Sequence, residues 1–378
     1  MIRSKKKTIR NYDIFIPVCA FLLGFIGILF IQDIGAVGTN FTRFYKHALF
    51  FLLSFFPAFF FSIIPLNFLK KTAPLWMLLC LILLISVLCF GNDINGAKRF
   101  LKIWKLSFQP STLARIVLIW YVARTFANKK DLIKNASLLD LVKRFWQIFV
   151  FTPIFYLLIL YERHFSILVI SSATLFCMFF IARVRILNLL IMLSVALIAG
   201  FGVISFGASY RSARIKIFKR YNLYMRSLSK SVKHENLNDK QIRQSLIALS
   251  NGGFFGKGFD EGMAKENYLS EAETDYIFSV IGEEFGFLGS IIVFLLYCFL
   301  FFRTVQISYH ADDLFLKLAS LGLGLNIFIN AMINIGVSMS SLPSTGVTLP
   351  FISYGGTSLV VNSIGIGLLM NISAEVKR

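Results

Sequence analysis

The sequence predicts an all-α polytopic membrane protein: ten transmembrane helices with a large external loop between spans 7 and 8. Three observations carry this. Of the 378 residues, 57% are hydrophobic and only 15% are charged, whereas soluble domains run nearer half apolar and about a quarter charged. Apolar runs of about 18–22 residues recur along the chain, the length of a helix that spans a bilayer core. Lipid offers no hydrogen bonds to the backbone, so each span must satisfy its own, which selects helices. Basic residues also gather in alternate connections, as expected of cytoplasmic loops.

The spans are expected near 13–32, 47–66, 74–91, 111–127, 147–161, 164–182, 186–206, 276–301, 314–340 and 350–373. Glu162, Arg163 and His164 alone separate the fifth from the sixth, which reads as a tight hairpin. The first run lacks a small-residue cleavage site after it, so it is expected to be an anchor and not a removed signal. A basic head, 1–12, carries Arg3, Lys5, Lys6, Lys7 and Arg10. Lys70 and Lys71 follow span 2, and Arg124, Lys129, Lys130, Lys134, Lys143 and Arg144 follow span 4. Arg183 and Arg185 follow span 6, Arg303 follows span 8, and Lys377 and Arg378 end the sequence. Placing this set on the inner side orients both termini to the cytoplasm.

Residues 1–378 read as a single membrane domain without internal repeats. Two connections break the apolar pattern. The first is 92–110. The second is a large outer loop, 207–275, in which 241–249 has helical spacing and 251–258 is rich in glycine. Loops of that length are functional or disordered. The five cysteines lie inside apolar runs without metal-ligand spacing, the four histidines are scattered, and no phosphate-binding loop or dinucleotide fingerprint occurs. No metal site is expected.

The formal net charge is +20. Most of it belongs to the inner fringe, where it meets anionic headgroups. The outer stretch Tyr210–His234 is different: it carries eight Lys/Arg and no acidic residue, with aromatics between them. Such a stretch fits an anionic partner at a membrane surface, either lipid headgroups or a diphosphate-bearing substrate. Nucleic acid is not expected there. Immediately downstream, LSEAETDYIFSVIGEEFG places Asp275 where this loop enters an apolar helix. Asp and Thr at such a junction are ordinary helix caps. A carboxylate held below a basic loop also fits chemistry on a lipid-linked anion. Glu283 and Glu284 lie deeper, at a depth where ionisable groups are costly and paired or functional. They read mainly as structural pairs with Arg or backbone, with Glu271 as a further supporting acid.

Four motifs then line up in order. Asn95-Gly96-Ala97-Lys98-Arg99 precedes Gln109-Pro110-Ser111. Tyr210-Arg211 and Arg214-Ile215 precede Gln244-Ser245 and Gly252-Gly253-Phe254-Phe255-Gly256-Lys257-Gly258. Glu271-Ala272-Glu273-Thr274-Asp275-Tyr276 precedes Gly282-Glu283-Glu284. Leu342-Pro343 precedes Leu349-Pro350-Phe351-Ile352-Ser353-Tyr354-Gly355-Gly356. Over essentially its whole length the chain resembles the SEDS family (shape, elongation, division and sporulation), the membrane-embedded peptidoglycan glycosyltransferases. IGEE and LPFISYGG are nearer to the family's FtsW branch, which serves division, than to its RodA branch, which serves elongation.

The chain departs from the family at three places. Thr112 stands where the family has Glu, three residues before Arg115, and that spacing would pair the two on one helix face. The family's Pro-Asp-x-Gly is replaced by Arg163-His164-Phe165-Ser166, and Ser270 replaces a proline.

The resemblance implies polymerisation of lipid II, an undecaprenyl-diphosphate-linked disaccharide peptide, on the outer face of the bacterial inner membrane, at the division septum. It implies a class B penicillin-binding protein as transpeptidase partner, with other divisome membrane proteins. A GlcNAc hydroxyl attacks an anomeric carbon as the diphosphate leaves, so one carboxylate acting as base suffices. Asp275 is the expected base. Lys98, Arg99, Arg115, Arg214, Lys265 and Ser353 are the expected contacts to diphosphate and sugar. No cofactor is required, although a divalent cation is compatible with a diphosphate leaving group. The alternative from another class is a transporter that flips the precursor. Such a protein should hold its charges near the bilayer midplane at discontinuous helices.

Overall fold

A computed structural model of the chain describes residues 11–37, 41–94, 97–103, 106–129, 133, 136–205, 218, 221, 237–265, 269 and 271–376. Three long helices come first: α1 (Phe15–Val37), α2 (Phe41–Ile63) and α3 (Leu66–Phe90). A small antiparallel sheet follows, of β1 (Asn92–Ile94), β2 (Ala97–Ile103) and β3 (Leu106–Phe108). Next come α4 (Pro110–Ala127), the short α5 (Leu138–Arg144), α6 (Trp146–Tyr161), α7 (Phe165–Ile181) and α8 (Ile186–Ser205). After the outer loop the described helices are α9 (Leu237–Gly252), α10 (Ile277–His310), α11 (Leu314–Ser338) and α12 (Gly356–Glu375).

Every expected span falls on a helix. Among the described residues six helices are long and apolar enough to cross a membrane: α1, α2, α3, α10, α11 and α12. The α5–α6 pair, bent by 84°, passes the same test as a unit. Among the remaining expected spans, α7 is apolar but shorter, and α4 carries Arg115 and Arg124.

Packing follows membrane logic more than soluble logic. On α2 the exposed face is Phe56, Phe59 and Phe60, while His47, Ser54 and Ser62 turn inward. Small residues set the closest approaches, as in lipid-embedded bundles. A Cβ on Gly367 of α12 would lie 2.2 Å from the Ala58 carbonyl of α2. A Cβ on Gly322 of α11 would lie 2.5 Å from Ile119 of α4 and 2.8 Å from the Met178 sulfur of α7. Helix α11 is therefore the central post, buried along most of its length and packed on α4, α7 and α10.

Two ends of the bundle are tied differently. At one end Asp13 pairs with Arg303 of α10, and its N–H donates to Ser373 Oγ of α12 at 2.9 Å. The opposite end carries the sheet, the α6–α7 turn, α9 and the segment 271–276.

Three features differ from the all-α expectation. Asn92–Ile94, Ala97–Ile103 and Leu106–Phe108 form a sheet, with Ile94 paired to Ala97 and Leu101 to Phe108. The last helix begins at Gly356, because Leu349–Tyr354 turns back on itself through a hydrogen bond from Ser353 N to Leu349 O at 3.0 Å. Helix α10 is 34 residues long and is broken at Gly286 (φ 62°, ψ −158°). At about 1.5 Å per residue it is roughly 50 Å long, well beyond the ~30 Å of a hydrocarbon core. The helical spacing read at 241–249 is realised in α9. The basic head, Arg214 and most of 206–236 lie outside the described residues.

Candidate functional site

Asp275 sits in a turn, 271–276, that leads into α10. The N-cap position is Tyr276, without a side-chain capping bond, so Asp275 lies one residue outside the expected cap. The backbone around it is fastened from four sides. Asn334 Nδ2 of α11 donates to Asp275 O at 2.9 Å and to Val347 O at 2.7 Å. Ser353 Oγ donates to Thr274 O at 2.5 Å and accepts from Leu349 N at 2.8 Å. Tyr354 N donates to Glu273 O at 2.8 Å. Arg43, at the start of α2, pairs with Glu273 at 2.7 Å. Glu271, with φ 64°, accepts from Thr274 Oγ1 at 2.7 Å through its carboxylate. The Asp275 side chain remains partly exposed. Gly346 faces it: a Cβ there would lie 3.7 Å from Asp275 Oδ2. Its φ of +70° is a conformation that glycine adopts without a steric penalty. A rigid backbone carrying an accessible carboxylate is the arrangement that a general base requires.

A second group of charges lies along α10. Lys265, 5% exposed, donates to Asp33 of α1 at 2.5 Å and to Asp260 at 2.8 Å, and lies 3.0 Å from Glu284. Burial alone would lower the Lys265 pKa. Its hydrogen bonds to Asp260, Asp33 and Glu284 outweigh it and hold the ammonium above the usual lysine range. The Lys265 ammonium in turn holds Asp260 below the usual carboxylate range. Glu283 accepts from Ala264 N at 2.8 Å and pairs with Lys257 at 3.3 Å. The glycine-rich segment serves the helix break directly. Lys257 N and Gly258 N donate to the carbonyls of Glu283 and Glu284, both at 3.0 Å. Phe287 N and Leu288 N donate to Gly253 O and Phe254 O. The break at Gly286 exposes backbone groups, and 252–258 satisfies them. A Cβ on Gly256 would lie 2.1 Å from Glu284 O, so only glycine can run this close.

A third group surrounds the sheet. Arg99 of β2 donates to the carbonyls of Glu162 at 3.3 Å and Arg163 at 2.7 Å, clasping the α6–α7 turn. Lys98 Nζ donates to Leu88 O at 3.2 Å. Arg115 is 5% exposed, and its Nε is enclosed without a hydrogen-bond partner. Thr112 turns its hydroxyl to Gln109 O at 2.6 Å. Glu162 is fully buried, and neither of its carboxylate oxygens has a partner of proper geometry.

The expected site residues therefore separate. Asp275, Glu271 and Ser353 belong to one construction, in which the Ser353 hydroxyl both donates and accepts within the backbone and acts as a strut. Lys265, Glu283 and Glu284 belong to another, in which the Lys265 ammonium serves carboxylates of the fold. Ser353 and Lys265, expected as substrate contacts, make these bonds within the fold. Lys98, Arg99 and Arg115 lie around the sheet and the start of α4. Sequence reasoning did not single out Arg43, Asp33 or the asparagines of α11. Asn326, Asn330 and Asn334 recur every four residues on a buried helix, a spacing that was there to be read. Among the described residues no group of three His, Cys, Asp or Glu could hold a metal ion.

Residues 13–378 match the model of a family described as cell cycle protein, that of FtsW, RodA and SpoVE. A probable peptidoglycan glycosyltransferase FtsW from Wigglesworthia glossinidia brevipalpis is 32% identical, over 100% of this chain and 97% of its own. One from Geobacter sp. (strain M18) is also 32% identical, over 82% and 80%. In fold, the chain is similar to a chain of a peptidoglycan synthase complex, with TM-score 0.76 at 21% identity over 97% and 98% of the two chains. It is also similar to the rod shape determining protein RodA of Thermus thermophilus, with TM-score 0.69 at 22% identity over 97% and 98%. The chain is a member of the FtsW/RodA/SpoVE family of cell cycle proteins.

Proposed function

We propose that this protein is a peptidoglycan glycosyltransferase of the FtsW type, which polymerises lipid II at the outer face of the bacterial inner membrane. The observation that carries the reading is Asp275, a partly exposed carboxylate on a backbone fastened by Asn334, Ser353 and Tyr354, in a chain whose relatives are named for this activity. The full reading has ten spans, both termini in the cytoplasm, and 207–275 as the periplasmic loop. In it the Asp275 end faces the periplasm, and the Asp13–Arg303 end faces the cytoplasm.

The chemistry is a single inverting displacement. The GlcNAc 4-hydroxyl gives its proton to Asp275 as its oxygen bonds to the anomeric carbon of the neighbouring MurNAc. The bond from that carbon to the diphosphate breaks, and undecaprenyl diphosphate leaves with the electron pair. It leaves unprotonated, so no second carboxylate is needed, unlike in most glycosidases. Lys98, Arg99, Arg115 and Arg214 are the proposed diphosphate ligands, in keeping with the preference of guanidinium for phosphate oxygens. A class B penicillin-binding protein is the proposed partner. The relation in fold to a chain of a peptidoglycan synthase complex supports it. The septum is the proposed location.

The flippase reading has one observation in its favour, the helix break at Gly286 beside buried charges. That break lies about nine residues into a helix too long for the bilayer, which argues for the outer boundary over the midplane. Its charges are engaged with one another. The deciding experiment gives purified protein, with its penicillin-binding partner, labelled lipid II in vesicles, and scores glycan chains and transbilayer movement separately. Glycan chains are expected. Transbilayer movement without glycan chains would favour the transporter.

A further inference from the structure

We infer that Glu162 is a positioning residue of the Asp275 site: an enclosed, neutral carboxyl that fastens the α6–α7 turn to the start of α4. Through Ser166 and Thr345 it keeps Gly346 beside Asp275. The inference rests on the reading of Asp275 as the base and extends it to a residue that the mechanism above does not use.

The enclosure comes first. Glu162 has no exposed surface. The groups acting on its carboxyl are the Ser111 hydroxyl of α4 and, at longer range, the Arg99 guanidinium. Arg99 directs its bonds at the carbonyls of Glu162 and Arg163, and so clasps the turn instead of neutralising the side chain. An ionised carboxylate there would be buried without a direct cation, which is costly. A neutral carboxyl carries an O–H donor. Beside it, Ser111 Oγ is likewise enclosed and without a partner, and can accept that proton in a hydrogen bond. Burial accordingly pushes the Glu162 carboxyl up to about 8, against the pull of Ser111 and Arg99.

The route to the site comes second. Arg163, next in the chain, is held at φ 56°, a conformation that costs energy and persists only where its surroundings enforce it. Gln109 Nε2, one residue before α4, donates to His164 Nδ1 at 3.1 Å. Ser166, at the start of α7, donates to Thr345 O at 2.8 Å. Thr345 precedes Gly346, the residue facing Asp275. The turn is thus gripped by β2, by the start of α4 and by its own carboxyl, and its far side holds the segment that borders the base. The charged and titratable groups around Glu162 are Arg99 from β2, and Arg163 and His164 on the turn itself. α7 contributes the neutral Ser166.

The sign of the pH dependence follows. Raising the carboxyl pKa above its unfolded value gives stability that is fully present below the ordinary carboxyl range, is lost progressively as pH rises from there, and is gone above about 8. Ionisation of Glu162 should loosen the turn and slow polymerisation.

The test compares wild type, Glu162→Gln and Glu162→Ala, each purified with the penicillin-binding partner. It measures glycan polymerisation and thermal stability between about pH 6 and 9.5. Gln mimics the neutral carboxyl in shape and can donate to Ser111. Its rate near pH 7 should stay within about twofold of wild type, and it should lack the wild-type decline around pH 8. The Ala variant should lose roughly tenfold to a hundredfold in rate at every pH through misplacement of the site. The wild-type Tm should fall relative to the Gln variant as pH rises from about 6 to about 8, and level off above it. An unchanged alkaline decline in Gln, or a Gln variant as impaired as Ala at pH 7, overturns the inference. If wild type makes no glycan, the failure lies with the reading of Asp275. The Tm comparison then still decides whether Glu162 is held neutral, and identical Tm profiles overturn that part.

Discussion

At Asp275 the protein fixes the backbone and leaves the carboxylate partly open. Further along the same block, at Glu284, it encloses the carboxylate and gathers Asp33, Asp260 and Glu284 around Lys265. Both places hold acids on or beside α10, and both lie next to a conformation that glycine supplies, Gly346 in one and Gly286 in the other. Their energetics are opposite. In the first, hydrogen bonds from Asn334 and Ser353 go to main-chain carbonyls. In the second, the side chains themselves are the fastening. The difference teaches where to look for function in a bundle rich in buried charge: at the acid whose backbone is held, more than at the acids whose charges are matched.

The comparison predicts that the two centres fail differently. The largest effect on folding should come from Lys265→Met, which leaves Asp33 and Glu284 buried without their cation. Breaking a buried ion pair in this way costs about 3–5 kcal/mol. The yield of folded protein and its Tm should drop sharply, as judged by detergent extraction and thermal melting. A Met variant that melts like wild type would mean that this cluster is not a fastening. Asn334→Ala should have an intermediate effect. It removes the donor to Asp275 O and Val347 O, which costs about 1–3 kcal/mol for groups left unsatisfied. The loss in polymerisation rate should exceed what that change in stability explains. A rate that tracks stability alone would remove Asn334 from the site's support. Arg43→Ala should do least. The Arg43–Glu273 pair is exposed on the arginine side, and such pairs contribute about 0–1 kcal/mol.

Much of the fold was legible because apolar length is a strong signal. Each of the ten runs overlaps a described helix, although only six of those helices are long and apolar enough by themselves to cross a membrane. The sheet was missed because two of its strands, Asn92–Ile94 and Leu106–Phe108, are only three residues long and mix polar with apolar residues. Yet Asn95-Gly96 is a strong hairpin dipeptide, and it was there to be read; the dipeptide itself lies outside the described residues. The break in α10 was hidden for a different reason. One glycine inside an apolar run reads as a packing residue, and its φ of 62° depends on the distant segment 252–258 that satisfies it.

The site was partly legible in the same way. Asp275 stood out by its place at the edge of an apolar run, and its motif gave it a role. Lys265 and Ser353 carried motif matches that said nothing about their partners. Asp33 and Glu284 lie far apart in sequence, and only the packing of α1 on α10 brings them to one ammonium. Glu162 sat in view within a three-residue connection, and nothing in sequence tells a buried turn carboxyl from a solvated one.

The account turns on Asp275 as a base whose removal spares the fold. The most direct measurement is therefore polymerisation of labelled lipid II by Asp275→Asn with the penicillin-binding partner, run beside the Tm of the same preparation. Asparagine keeps the size and polarity of the side chain but cannot take a proton at neutral pH. The account predicts an unchanged Tm and partner binding, with a rate lowered about 10²–10⁴-fold, as for loss of a general base. A variant that makes glycan chains at near the wild-type rate would contradict it.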